Sequence, residues 1–197
     1  MKILGITGSS GSGKTTLSKI LNEREDVKVI DADKIVKEMS VPGAEYLNAI
    51  SEKFGQEILL EDGNLNRKAL AHKIYNDNDA REELNKLTFK YVVEEMLRRI
   101  REITLNDTAI KIVVIDAPLL FEAGLDEVCD YVVALVADKE LKIRRICLRD
   151  NIDEKTAESR LNIQNDDTFY TQKADFVIIN SKDCDLKVEI EKVLKEI

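Results

Sequence analysis

Eight consecutive residues, Gly8-Ser9-Ser10-Gly11-Ser12-Gly13-Lys14-Thr15, satisfy the pattern G-x-x-x-x-G-K-[ST] without a mismatch. Each residue type has a chemical reason to be there. Gly8, Gly11 and Gly13 let the main chain curl so that successive N–H groups point inward at phosphate oxygens. Ser12 supplies one of those N–H groups, and Thr16 continues the run into a helix. A helix N-terminus adds partial positive charge at the same point. Lys14 brings a full charge to the β- and γ-phosphates, and the Thr15 hydroxyl can ligate Mg2+. A buried strand ending at Thr7 and an amphipathic helix running through Leu17, Ile20 and Leu21 give the loop its expected setting. The pattern points to ATP or a similar triphosphate and leaves open what is done with it.

Carboxylates follow other strand-like runs. Val29-Ile30-Asp31-Ala32-Asp33 ends a second strand, and ligands of parallel sheets gather beyond strand carboxyl ends. Asp33, past the end of a strand expected beside the phosphate loop, could accept the proton of an attacking hydroxyl. Asp31 competes for that role, and either one could simply cap the next helix. Val113-Val114-Ile115-Asp116 resembles the strand end whose carboxylate holds Mg2+. Glu122 either contacts substrate or caps a helix. A basic segment contains Lys139, Lys142, Arg144, Arg145, Arg149, Lys155 and Arg160. Arg145 and Arg149, four apart, share a helix face. In an acidic chain such a cluster suggests an anionic ligand and a lid whose arginines stabilise phosphoryl transfer. Surface pairing with Glu140, Asp150, Asp153 or Glu154 is the alternative.

These residues must be positioned by a fold, and five segments read as strands: Lys2–Thr7, Val27–Asp31, 110–116, Tyr131–Val136 and 176–180. Four lack polar alternation, which suits parallel strands buried on both faces. Interspersed helical patterns imply a doubly wound α/β sheet with helices on both faces. Almost eighty residues separate the second and third strands, far more than a crossover needs. They read as helices at 42–54, 67–75 and 79–103, with turns at Phe54-Gly55 and Asp62-Gly63-Asn64. The expected organisation is one domain over 1–197: a core of 1–40, 110–137 and 174–197, a helical insertion over 41–109, and a lid over 138–173.

Bulk properties narrow the function classes. The chain has 197 residues and a formal net charge of −8, which argues against broad binding to nucleic acid or an anionic membrane. His72 is the single histidine, so histidine metal sites and Ser–His–Asp catalysis are excluded. Cys129, Cys147 and Cys184 form no C-x-x-C pair and read as reduced thiols. The apolar run from Tyr131 to Ala137 is far shorter than a membrane span, and the start lacks a signal-peptide core. The expectation is a cytoplasmic protein, a monomer or small homo-oligomer.

The ordered motifs resemble those of the dephospho-coenzyme A kinase family over most of the chain. They are Gly5-Ile6-Thr7-Gly8 with Gly11 to Thr16, Ile30-Asp31-Ala32-Asp33, Phe54-Gly55, Asp62 to Arg67, Pro118-Leu119-Leu120-Phe121-Glu122, Arg149-Asp150, Arg160-Leu161, Gln164 and Ala174 to Asn180. The resemblance implies a P-loop NTPase of nucleoside-monophosphate-kinase-like fold with a five-stranded parallel core. It implies transfer of the ATP γ-phosphoryl group, with Mg2+, to the ribose 3′-hydroxyl of dephospho-coenzyme A. By position it makes Asp33 the base, lets Lys14 and Arg149 stabilise the moving phosphoryl group, puts Arg67 in the substrate region and places Asn180 near the adenine. Arg145 would contact the nucleotide. The chain departs from the family in three places. Thr88-Phe89 stands where the family usually has His-Pro, Ser9-Ser10 replaces a glycine-richer stretch, and Ser181-Lys182 follows Asn180. Two other readings stay open: a nucleoside or uridine-type kinase, and a nucleotide-binding regulatory ATPase.

Overall fold

The computed structural model describes residues 1–75 and 77–197. The chain divides into two compact units, 1–30 with 102–197, and 31–101. The first is built on a five-stranded parallel sheet of order β2-β3-β1-β4-β5. Its strands are β1 (Lys2–Thr7), β2 (Val27–Asp31), β3 (Ile112–Asp116), β4 (Tyr131–Val136) and β5 (Phe176–Ile179). The central strand β1 pairs in parallel with β3 (Leu4 opposite Val114) and with β4 (Ile6 opposite Val133).

Hydropathy explains the order. Val113, Val114 and Ile115 of β3 and Val132 to Leu135 of β4 are almost wholly buried, as strands covered on both faces require. The strand preceding Asp33, expected beside the phosphate loop, lies two places from it: β3 fills the position next to β1. The sequence VKVID mixes polar with apolar residues, with Val27 and Ile30 buried and Lys28 and Asp31 exposed, which fits an edge strand. On one face, Leu4, Ile6, Val133, Leu135 and Ile178 pack with Leu17 and Leu21 of α1 (Lys14–Asn22) and Leu186, Ile190 and Val193 of α9 (Leu186–Glu196).

The segment 138–173 folds as three helices, α6 (Lys139–Asp150), α7 (Glu154–Asn162) and α8 (Asp167–Thr171). Asp153 and Asp166 cap α7 and α8, accepting from the Thr156 and Phe169 N–H groups at 2.7 and 3.0 Å. No helix among the described residues is long and apolar enough to cross a membrane.

The second unit holds α2 (Ala32–Met39), α3 (Glu45–Phe54), α4 (Arg67–Tyr75) and most of α5 (Asn78–Asn106). α3 starts three residues later than position 42 suggests, because 41–44 form a turn closed by the Ala44 N–H on the Val41 carbonyl. Tyr46, Leu47, Ile50, Phe54, Ile58 and Leu70 form its core. On α5, Glu95 accepts from Arg98 and Arg99, each at 2.7 Å, and Arg99 also reaches Glu38 at 2.5 Å. The Arg98 hydrogen bonds, followed by those of Arg99, hold the Glu95 carboxyl down at about 2. A depressed carboxyl contributes stability above its unfolded value of 4.5 that is lost as pH falls toward 2. Because these pairs are partly solvated, the contribution is about 1 kcal/mol. Glu95→Gln should therefore lower stability near neutrality by about that amount. It should also flatten the loss of stability between pH 4.5 and 2, as read from urea midpoints against pH.

Candidate phosphoryl-transfer site

The phosphate loop leaves the buried end of β1 and runs straight into α1, with Gly13 as the capping residue. The Thr16 and Leu17 N–H groups bond the Gly13 carbonyl at 2.9 and 3.0 Å, and Ser12 N–H bonds Ser9 at 3.1 Å. Two glycines are dictated by their neighbours as well as by positive φ. A Cβ on Gly13 (φ +108°) would come 2.1 Å from Asn180 Nδ2, and one on Gly11 (φ +79°) 2.7 Å from the Lys142 carbonyl oxygen.

Lys14 Nζ bonds Asp116 Oδ1 at 2.7 Å in a mostly buried ion pair. The Ser18 hydroxyl donates to the other oxygen of the same carboxylate. The end of β3 is thereby tied to the base of the loop. Thr15 and Thr16 are exposed at the first turn of α1. Among the described residues no group of three or more acidic, histidine or cysteine side chains could cage a metal. One carboxylate and one hydroxyl do suit Mg2+, which keeps several waters and binds mainly through substrate phosphates. Thr15 and Asp116 therefore fit an ion that arrives with a triphosphate.

Helix α6 lies along the outside of the loop. Arg145 donates to the Gly11 and Ser12 carbonyls at 3.1 and 3.4 Å and to Asn180 Oδ1 at 3.3 Å. Asn180, just past β5 and buried, donates through Nδ2 to the Ser12 carbonyl at 2.7 Å. Both side chains thus hold the loop's main chain. Arg149 reaches the Ser10 hydroxyl at 3.3 Å while paired with Asp150 at 2.7 Å. Hydrogen bonding to Asp150 raises its pKa further, so it is a permanent cation. Glu122 accepts from Asn165 Nδ2 at 2.6 Å and does not cap a helix.

In the second unit, Asp31 is the N-cap of α2 and accepts from the Lys34 N–H at 3.0 Å, so the capping alternative holds for that residue. Asp33 is exposed in the first turn of the same helix. Arg67 opens α4 directly after the Asp62-Gly63-Asn64 turn, which closes through the Leu60 N–H on the Asn64 carbonyl at 2.8 Å. Thr88 hydrogen-bonds the buried Tyr46 hydroxyl at 3.0 Å.

Three contacts on the loop come from residues whose part in holding it was not read from sequence. Lys142 Nζ donates to Ser9 Oγ at 3.2 Å, the Ser9 hydroxyl donates to Asp167 Oδ1 at 3.2 Å, and Gln164 Oε1 accepts from the Ser10 N–H at 2.8 Å. The available signal was spacing: residues 142, 145 and 149 fall on one face of a helix.

A family model described as dephospho-CoA kinase matches residues 2–185. A dephospho-CoA kinase of Syntrophotalea carbinolica is 39% identical over 92% of this chain and 84% of its own length. One of Corynebacterium glutamicum is 37% identical over 98% of both. The solved dephospho-CoA kinase from Campylobacter jejuni superposes with a TM-score of 0.69 at 29% identity, covering 98% of this chain and 96% of its own. With a family match across nearly the whole sequence and a phosphate loop built at the expected strand–helix junction, the chain belongs to the dephospho-CoA kinase family.

Proposed function

We propose that this chain transfers the γ-phosphoryl group of ATP to the ribose 3′-hydroxyl of dephospho-coenzyme A, releasing coenzyme A and ADP, with Asp33 as the base. The observation that carries the proposal is the phosphate loop, braced by cations, in a chain of this family. In the proposed reaction the amides of residues 8–15 and the N-terminus of α1 hold the β- and γ-phosphates. Lys14 exchanges Asp116 for phosphate oxygens and stays with the charge as it moves from the γ-phosphorus to the leaving ADP oxygen. Arg149, beside Ser10, balances charge on the transferring group. Mg2+ bound with ATP would neutralise the β- and γ-oxygens, with Thr15 and Asp116 holding it. Asp33 follows the carboxyl end of β2, in the solvent-exposed first turn of α2, and in the proposed reaction its carboxylate takes the proton of the acceptor hydroxyl. Arg67 and Glu122 are assigned to the acceptor.

The assay is ADP release on adding dephospho-coenzyme A to enzyme with Mg-ATP. A rate no higher than with ATP alone would sink the proposal, and activity confined to nucleoside acceptors would move it to a nucleoside kinase. Asp33→Asn should lower kcat about 100-fold or more while ATP affinity stays within about twofold. Near-normal turnover would remove Asp33 from the role of base. Arg149→Ala should reduce kcat about tenfold or more with a smaller change in the KM for ATP. An unchanged rate would make Arg149 a surface charge only.

A further inference from the structure

Behind the phosphate loop, three side chains close a ring of polar contacts. Lys142 Nζ donates to Ser9 Oγ at 3.2 Å, Ser9 Oγ donates to Asp167 Oδ1 at 3.2 Å, and Asp167 Oδ1 accepts from Lys142 Nζ at 2.8 Å. Lys142 is buried, with a side chain only 10% exposed. A buried ammonium needs a counter-charge and hydrogen-bond partners, and this one has both. At the same place the Lys142 main chain lies against Gly11, close enough that a Cβ there would sit 2.9 Å from the Lys142 Cα. One residue of α6 therefore touches the loop twice, by its ammonium at Ser9 and by its backbone at Gly11.

We propose that Lys142, locked by Asp167, is a positioning residue that sets the curl of the phosphate loop through Ser9 and thereby tunes ATP binding and phosphoryl transfer. This rests on the kinase reading and deepens it. Ser9 and Gly11 flank Ser10, whose N–H is already taken by Gln164, so the first half of the loop is fixed from behind at three successive residues. The second half is fixed by Arg145 and Asn180. Of these anchors, only the one at Ser9 depends on an ion pair between two helices, α6 and α8, neither of which belongs to the loop. Without the ammonium, the Asp167 carboxylate would stand behind the loop with its charge unbalanced, opposing the polyanion that the loop's amides must hold. Phosphate geometry is sensitive to displacements of about 1 Å, so the loss should appear in ATP binding and turnover and not in acceptor binding.

The test measures equilibrium ATP affinity, kcat, the KM for dephospho-coenzyme A and melting temperature on the full chain. Lys142→Met should weaken ATP binding about tenfold and lower kcat about as much, with acceptor KM within about twofold. Lys142→Arg keeps a permanent cation and its hydrogen-bond donors and should recover most of both. Lys192→Met removes an exposed lysine–glutamate pair, to Glu189 on α9, and should change neither. ATP affinity and kcat within about twofold of the parent in Lys142→Met would overturn the proposal, as would an equal effect of Lys192→Met. If Lys142→Met does not fold, Ser9→Ala decides. It should weaken ATP binding about threefold at an unchanged melting temperature, and undiminished affinity would refute the role. ATP affinity is read without an acceptor, so a parent enzyme inert toward dephospho-coenzyme A would sink the kinase reading and leave this comparison standing.

Discussion

A loop that turns its amides inward to meet phosphate must turn carbonyls outward, and those carbonyls need partners. That constraint organises much of the first unit. The Gly11 and Ser12 carbonyls receive Arg145, and Ser12 also receives Asn180. Hydrogen bonds to charged donors contribute about 1.5–3 kcal/mol each, and an unmet buried carbonyl costs a comparable amount. The partners must approach closely, which is why positions 11 and 13 have no room for a side chain. The helix that carries Arg145 must in turn lie against the loop, and it arrives there because β4, from which α6 follows, pairs directly with β1.

The sheet order has the same logic. β1 is central and ends in the loop, with β3 on one side delivering Asp116 to Lys14 and β4 on the other leading into α6. β5 lies outside β4 and delivers Asn180. Three strand ends therefore converge on one short loop without any long connection inside the site. Burial of β3 and β4 on both faces gives the rigid floor that the loop's geometry needs.

Much of this could be read from the amino acids. The strand positions followed from runs such as Val113-Val114-Ile115, and the loop from its eight-residue pattern. What escaped was lateral. Which strand neighbours β1 depends on packing between remote segments, and the half-polar make-up of VKVID was the one clue that β2 belongs at an edge. The basic segment was recognised, but not what its members touch. Arg145 and Asn180 were assigned to the nucleotide, since a sequence shows charge and order without showing that the nearest anionic or polar partner is the loop's own main chain. Asp167 carried no visible signal, because an aspartate at the start of a helix is ordinary until a buried lysine is found beside it. Thr88 illustrates the same limit: its bond to Tyr46 joins residues 42 apart.

The chain must also bind a polyanion while carrying a net charge of −8. It does so by concentrating cations on one helix face and compensating each. Lys142, Arg145 and Arg149 stand three and four residues apart, a spacing at which like charges repel by about 0.2–0.5 kcal/mol per pair. Asp167 offsets the first, main-chain carbonyls the second and Asp150 the third. Lys14 is held the same way, on Asp116. A lysine already parked on a carboxylate inside the site has lost most of its hydration before a phosphate arrives. Exchanging one anion for another then costs far less than stripping a solvated ammonium of water. The buried Asp116 thus keeps Lys14 desolvated and aimed, while Asp167 and Asp150 balance Lys142 and Arg149, and this makes a strongly negative chain compatible with a negatively charged substrate.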